Sequence, residues 1–120
     1  MPKQAVKDDW IIMLLSNIPV GHFVPELSRQ LTKILKEEGT ESELLRRFPV
    51  HPQYHYSPRL EETLSMLRLS GALSTWGPDY RDQVTQGMHN VANCRRELFS
   101  EEQKDYLKER ASRLNHSPSY

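Results

Sequence analysis

Cysteine is almost absent from this chain: Cys94 is the only one in 120 residues, and there are only five glycines. A lone thiol closes no intramolecular disulfide, and no cluster of thiols exists to build a structural zinc site. A reducing, cytoplasmic setting is therefore expected. The sequence shows no glycine-rich phosphate loop, no paired-carboxylate pattern and no nucleophile elbow, so neither an enzyme nor a cofactor is expected. Long hydrophobic runs are missing too. The short run from Trp10 to Leu15 follows Asp8 and Asp9, far from the about 20 apolar residues of a membrane-crossing helix and without the basic start of a signal peptide. Nor is there an excess of one charge: sixteen Lys and Arg balance sixteen Asp and Glu. No global positive field draws the chain to nucleic acid, so any such binding must come from a local patch.

What is present is helical periodicity punctuated by proline and glycine. A first helix runs from Asp8 or Asp9 as cap through Leu15 and stops before Pro19. Residues 19–22 form a turn, and Pro25 opens a second helix that places Leu27, Leu31, Ile34 and Leu35 on one face, with Lys33 and Lys36 near its negative end. A short helix spans Glu41 to Phe48 with Thr40 as cap, and Val50 to Tyr56 is an extended connector. Ser57 and Pro58 start the strongest helix, with Leu60, Leu64 and Leu67 inward and Gly71 as its stop. Two strands, Ala72 to Trp76 and Arg81 to Thr85, form one hairpin around a turn at residues 77–80. A helix around Met88 to Leu98 follows, then a helix from the Ser100 capping box to about Leu114, and a tail from Asn115 that frays.

The segment Ser57-Pro58-Arg59-Leu60 through Leu64, Leu67 and Gly71, followed by Val84-Thr85-Gln86-Gly87, resembles the capped recognition helix and wing exit of PadR-like and MarR-like regulators. The resemblance implies a mainly α, winged helix-turn-helix fold with one short β-hairpin wing and C-terminal helices. Residues 1–99 would form the winged-helix unit, and 100–120 a C-terminal helix and tail of the same structural unit. It implies a small DNA-binding transcriptional regulator, with His55, Tyr56, Ser57, Arg59, Ser65, Arg68 and Arg81 as candidate contacts. The stripe Tyr106, Leu107, Ala111 and Leu114 would be a seam between two subunits of a homodimer.

Other residues argue for a winged-helix protein-interaction module or assembly subunit without DNA binding. Glu61 and Glu62 border the free face of the helix that opens at Ser57, Asp79 and Asp82 are expected at the wing tip beside a single Arg81, and carboxylates near phosphate are unfavourable. Leu69 lies about 180° around that helix from Leu60, so Met66 and Leu69 offer an apolar patch to another chain. His51 and His55 have a metal-pair spacing, but Pro52 separates them and no third ligand is near, so no metal is expected. Cys94 falls in a helical pattern and reads as a small core hydrophobe. Tyr54, Tyr56, Trp76 and Tyr80 read as cover for a core edge.

Overall fold

The computed structural model describes residues 4–77 and 81–118. Among the described residues, six α-helices pack around a four-stranded antiparallel sheet, in the order α1 (Lys7–Leu15), β1 (His22–Val24), α2 (Leu27–Lys36), α3 (Glu43–Arg47), α4 (Pro58–Ser70), β2 (Leu73–Trp76), β3 (Arg81–Val84), α5 (Gln86–Arg95), α6 (Glu101–Ala111) and β4 (Ser117–Pro118). A 3₁₀ turn at Arg96–Leu98 links α5 to α6.

Helix α1 is apolar all round because it is the centre of the core. Its residues from Asp9 to Leu15 are all buried. Trp10 packs edge-on against Phe99 at 5.0 Å between ring centroids, and the Arg47 guanidinium lies 4.3 Å over its ring. The cap differs from the expected one: Val6 occupies the cap position, and the Asp9 carboxylate reaches back to accept its backbone N–H at 3.0 Å. Two further starts shift: α3 is capped by Ser42, whose hydroxyl accepts the Leu45 N–H, instead of by Thr40, and α2 begins at Leu27, after a left-handed Glu26 whose side chain makes no capping bond, instead of at Pro25. Helix α4 follows its sequence signals closely. Ser57 accepts the N–H of Leu60, Pro58 is in the first turn, and Gly71 takes φ +86°, a left-handed conformation that favours glycine.

The hairpin is not alone. Strand β3 pairs with β2 through Leu73↔Val84 to Trp76↔Arg81, and on its other edge with β1 through Phe23↔Gln83 and Val24↔Asp82. Strand β4 then adds to β1, giving the order β2-β3-β1-β4. The segment expected as a turn, 19–22, therefore runs into a strand, and of the tail expected to fray Ser117 and Pro118 are held at the sheet edge. Asn115 and Gln30 also exchange two amide hydrogen bonds, and the His22 and His116 rings meet through their Nδ1 atoms at 2.8 Å. The expected turn at 77–80 has only Gly77, at φ +73°, within the described residues.

Helix α6 corrects the expected dimer seam. Leu107, Ala111 and Leu114 are buried in the chain's own core, because α6 lies against α1 and completes its apolar surroundings. Tyr106 is engaged as well: its hydroxyl donates to Glu38 at 2.9 Å and meets the Ser42 hydroxyl at 2.8 Å, while Arg110 stacks 3.8 Å over its ring. Arg110 donates to both Glu38 oxygens, at 2.8 and 3.1 Å. The stripe thus fastens α6 to α1 and to the end of α2, and it leaves no apolar side for a second copy.

Burial alone would raise the pKa of Glu38, but the hydrogen bonds from Arg110 and Tyr106 and the Arg110 charge hold it below the ordinary value of 4.5. A depressed carboxylate contributes stability above its unfolded pKa and loses it as pH falls through the folded one. Glu38→Gln should therefore cost about 1–2 kcal/mol at pH 7. The gap between variant and wild type should narrow as pH drops below about 4. Urea unfolding at both pH values checks this; a gap that does not depend on pH would remove the charge from the account.

Candidate functional site

Helix α4 presents two sides fixed by its rotation. Leu60, Thr63, Leu64 and Leu67 are buried, and the Thr63 hydroxyl donates to Asp8 at 2.5 Å. Outward lie Arg59, Glu62, Ser65 and Leu69, with Glu61 and Met66 half-buried. Leu69 is 90% exposed, an extreme value for a leucine. Together with Tyr56, Pro58, Glu61, Glu62 and Ser70, this side lines an open groove of about 790 Å³.

The charges of this helix are largely turned to internal partners. Arg68 forms a fork with Asp82, Nε to Oδ1 and Nη2 to Oδ2 both at 2.9 Å, and Asp82 on β3 is only 2% exposed. The Thr75 hydroxyl adds a third bond to Asp82 at 3.0 Å. The Asp82 hydrogen bond, opposed by partial burial and supported by the charges of Asp82 and Glu61, raises the Arg68 pKa further. Glu61 accepts from Ser28, and Glu62 pairs with Lys7 at 3.2 Å.

The sequence candidates therefore separate. Tyr56, Ser65, Met66 and Leu69 come together on the α4 groove. Ser57 is 1% exposed and acts as the helix cap, so it contacts no partner. Arg68 anchors the hairpin, and Arg81 lies 5.0 Å over the Phe23 ring on the neighbouring strand. Arg59 is exposed and has no ion pair among the described residues. His55, at φ +50°, sits in a tight turn closed by His51 and Tyr56, where the His51 N–H donates to the Tyr56 carbonyl at 2.7 Å. The His51 ring stacks on Tyr54 at 4.6 Å instead of facing His55, and no metal-ligating cluster occurs among the described residues. Tyr54, Tyr56 and Trp76 are exposed and cover no core edge, while Tyr80 lies outside the described residues. Cys94 is likewise exposed on α5, not a core residue. Among the described residues, no helix is long and apolar enough to cross a membrane.

One surface escaped the sequence reading. Arg29, Lys33 and Lys36 of α2 line a groove of about 730 Å³ with His55, and with Arg113 and Asn115 from the segment after α6. The signal was legible: three cations at i, i+4 and i+7 opposite a buried Leu27, Leu31, Ile34 and Leu35. A smaller hollow, also lined by Arg29, Thr32 and His55, leads towards Tyr56 and Glu61 of the α4 side.

Comparison with protein-family models, with curated proteins and with solved structures finds no match. What the chain does must be argued from these surfaces.

Proposed function

We propose that the chain is a winged-helix protein-interaction module whose α4 side receives a segment of a partner protein. The fold part of the reading is supported by element order: α1, β1, α2, α4, β2 and β3, with β3 between β2 and β1, is the arrangement of a winged helix. The observation that carries the function is the α4 groove itself. Leu69, and in part Met66, are offered to solvent there beyond two carboxylates, while Arg68, the residue best placed by type for reading a base, is engaged by buried Asp82. Apolar anchors in a groove suit protein recognition, whereas Glu61 and Glu62 oppose phosphate.

The same order of elements favours a second reading, a DNA-binding regulator, for which Arg59 and Arg81 are the available cations. One experiment separates the two. A photo-crosslinking amino acid at Leu69, with the same group at exposed Val91 as control, is introduced in cells, and binding to an arbitrary duplex is titrated against salt. The module reading expects one discrete protein adduct at Leu69 only, abolished by adding Met66→Asp, with no steep salt slope for DNA. Duplex binding that falls steeply with salt and is weakened by Arg59→Ala would overturn it.

A further inference from the structure

The groove on α2 shares none of the α4 anchors, and we infer that it binds an acidic segment of a partner protein, two or three carboxylates long. This goes beyond the α4 reading and does not depend on it.

The buried residues Leu27, Leu31, Ile34 and Leu35 fix the rotation of α2 and so point Arg29, Lys33 and Lys36 away from the core. Seven residues of helix separate the first and last of these cations, a stripe of about 10 Å at 1.5 Å per residue. Lys33 and Lys36 have no ion pair among the described residues. Arg29 pairs only with exposed Glu26 at 3.2 Å, and Arg113 reaches Glu37 at 3.6 Å and Glu109 at 2.9 Å. The exposed Arg29 pair is weak, so that guanidinium can exchange Glu26 for a ligand carboxylate, whereas Arg113 is held to Glu109 by two hydrogen bonds at 2.9 and 3.0 Å and adds its charge from the side. The groove thus offers two ammonium groups and two guanidiniums against one carboxylate, Glu37, which lies towards Arg113, and His55 and Asn115 can hydrogen-bond at its sides.

Size and surroundings select the kind of anion. Same-side residues of an extended peptide lie about 7 Å apart, so two or three alternate acidic side chains span about 7–13 Å, which brackets the stripe of about 10 Å. A DNA duplex carries one charge per about 1.7 Å and extends far beyond the stripe. It would overrun onto Glu26, and the chain's zero net charge supplies no long-range attraction to offset that. Single-stranded nucleic acid needs stacking platforms, and no Phe, Trp or Tyr among the described residues lines this groove.

The test is fluorescence anisotropy of the full chain with a labelled hexaglutamate peptide and, separately, a labelled 16-base-pair duplex at low salt. Saturable peptide binding is expected, weakened about fivefold or more in Lys33→Gln/Lys36→Gln. The charge-matched pair Arg96→Gln/Lys108→Gln and the α4 variant Leu69→Asp should both stay within about twofold of wild type, a difference too small for a lost ion pair. Melting temperature monitors folding, and Arg113→Gln replaces the lysine pair should that variant melt early. Three results overturn the inference: no peptide binding, equal weakening by the two charge-matched pairs, or tighter binding of the duplex that is lost in Lys33→Gln/Lys36→Gln. Because Leu69→Asp is read in the same assay, failure of the α4 proposal leaves this result standing and the reverse holds equally.

Discussion

A chain ending at Phe99 is expected to lose cooperative folding. Leu107, Ala111 and Leu114 are buried against α1, whose own residues are apolar on every side. Removing them uncovers the side of α1 that faces α6, where Met13 and Leu107 line one hollow. Each Leu→Ala change in a core costs about 2–5 kcal/mol, and two leucines with an alanine leave together. The loss also breaks the link from Glu38 to Arg110 and Tyr106, and the β4 edge. The sum exceeds much of the about 5–15 kcal/mol that holds a domain folded. Near-UV circular dichroism and urea unfolding of the truncated chain provide the measurement. If α6 were a seam between subunits, the same truncation would turn a dimer into a well-folded monomer. A cooperative transition in the truncated chain would therefore restore the seam and displace the inward packing of α6 from this account.

This contrast shows why the stripe on α6 was legible while its destination was not. The spacing of Leu107, Ala111 and Leu114 says that one side of a helix is buried, but burial against α1 and burial against a second copy leave the same pattern in sequence. Helix α4 could be read to its ends because cap, proline and glycine all act within a few residues of the atoms they serve. Strand β1 could not. His22, Phe23 and Val24 stand among Pro19, Gly21 and Pro25, and what makes them a strand is pairing with Gln83 and Asp82 some sixty residues later. Strand β4, only Ser117 and Pro118, has no apolar pattern to show. The candidate site divides in the same way. Exposure of Leu69 followed from helical rotation against Leu60, whereas withdrawal of Arg68 depended on a partner fourteen residues away across the hairpin. One signal pointed there: alternation along β3 turns Asp82 and Val84 to the same, inner face, and an inward aspartate requires a charged or hydrogen-bonding partner.

That partner gives the second large expected effect. Arg68→Met keeps the length of the side chain and removes the guanidinium, leaving the Asp82 carboxylate, 2% exposed, with the Thr75 hydroxyl as its remaining described partner. Breaking a buried pair by deleting one member costs about 3–5 kcal/mol. Because the Arg68 side chain is 34% exposed, solvent already screens part of the interaction and can reach the hollow left behind. A loss of about 2–3 kcal/mol is expected instead. Asp82→Asn removes the charge that needs a partner, so the double variant Arg68→Met/Asp82→Asn should recover at least about 1 kcal/mol relative to Arg68→Met alone. Urea unfolding of the four proteins in this cycle measures the coupling. The outcome bears on function as well as on stability. Were Arg68 a base reader, its replacement would leave stability within about 0.5 kcal/mol, as for a surface residue. A near-neutral Arg68→Met would return this arginine to the free face of α4 and strengthen the DNA-binding reading. A destabilised single variant rescued by the second change assigns Arg68 to holding the hairpin against α4, which leaves half-buried Met66 and exposed Leu69 as the features of that helix available to a partner.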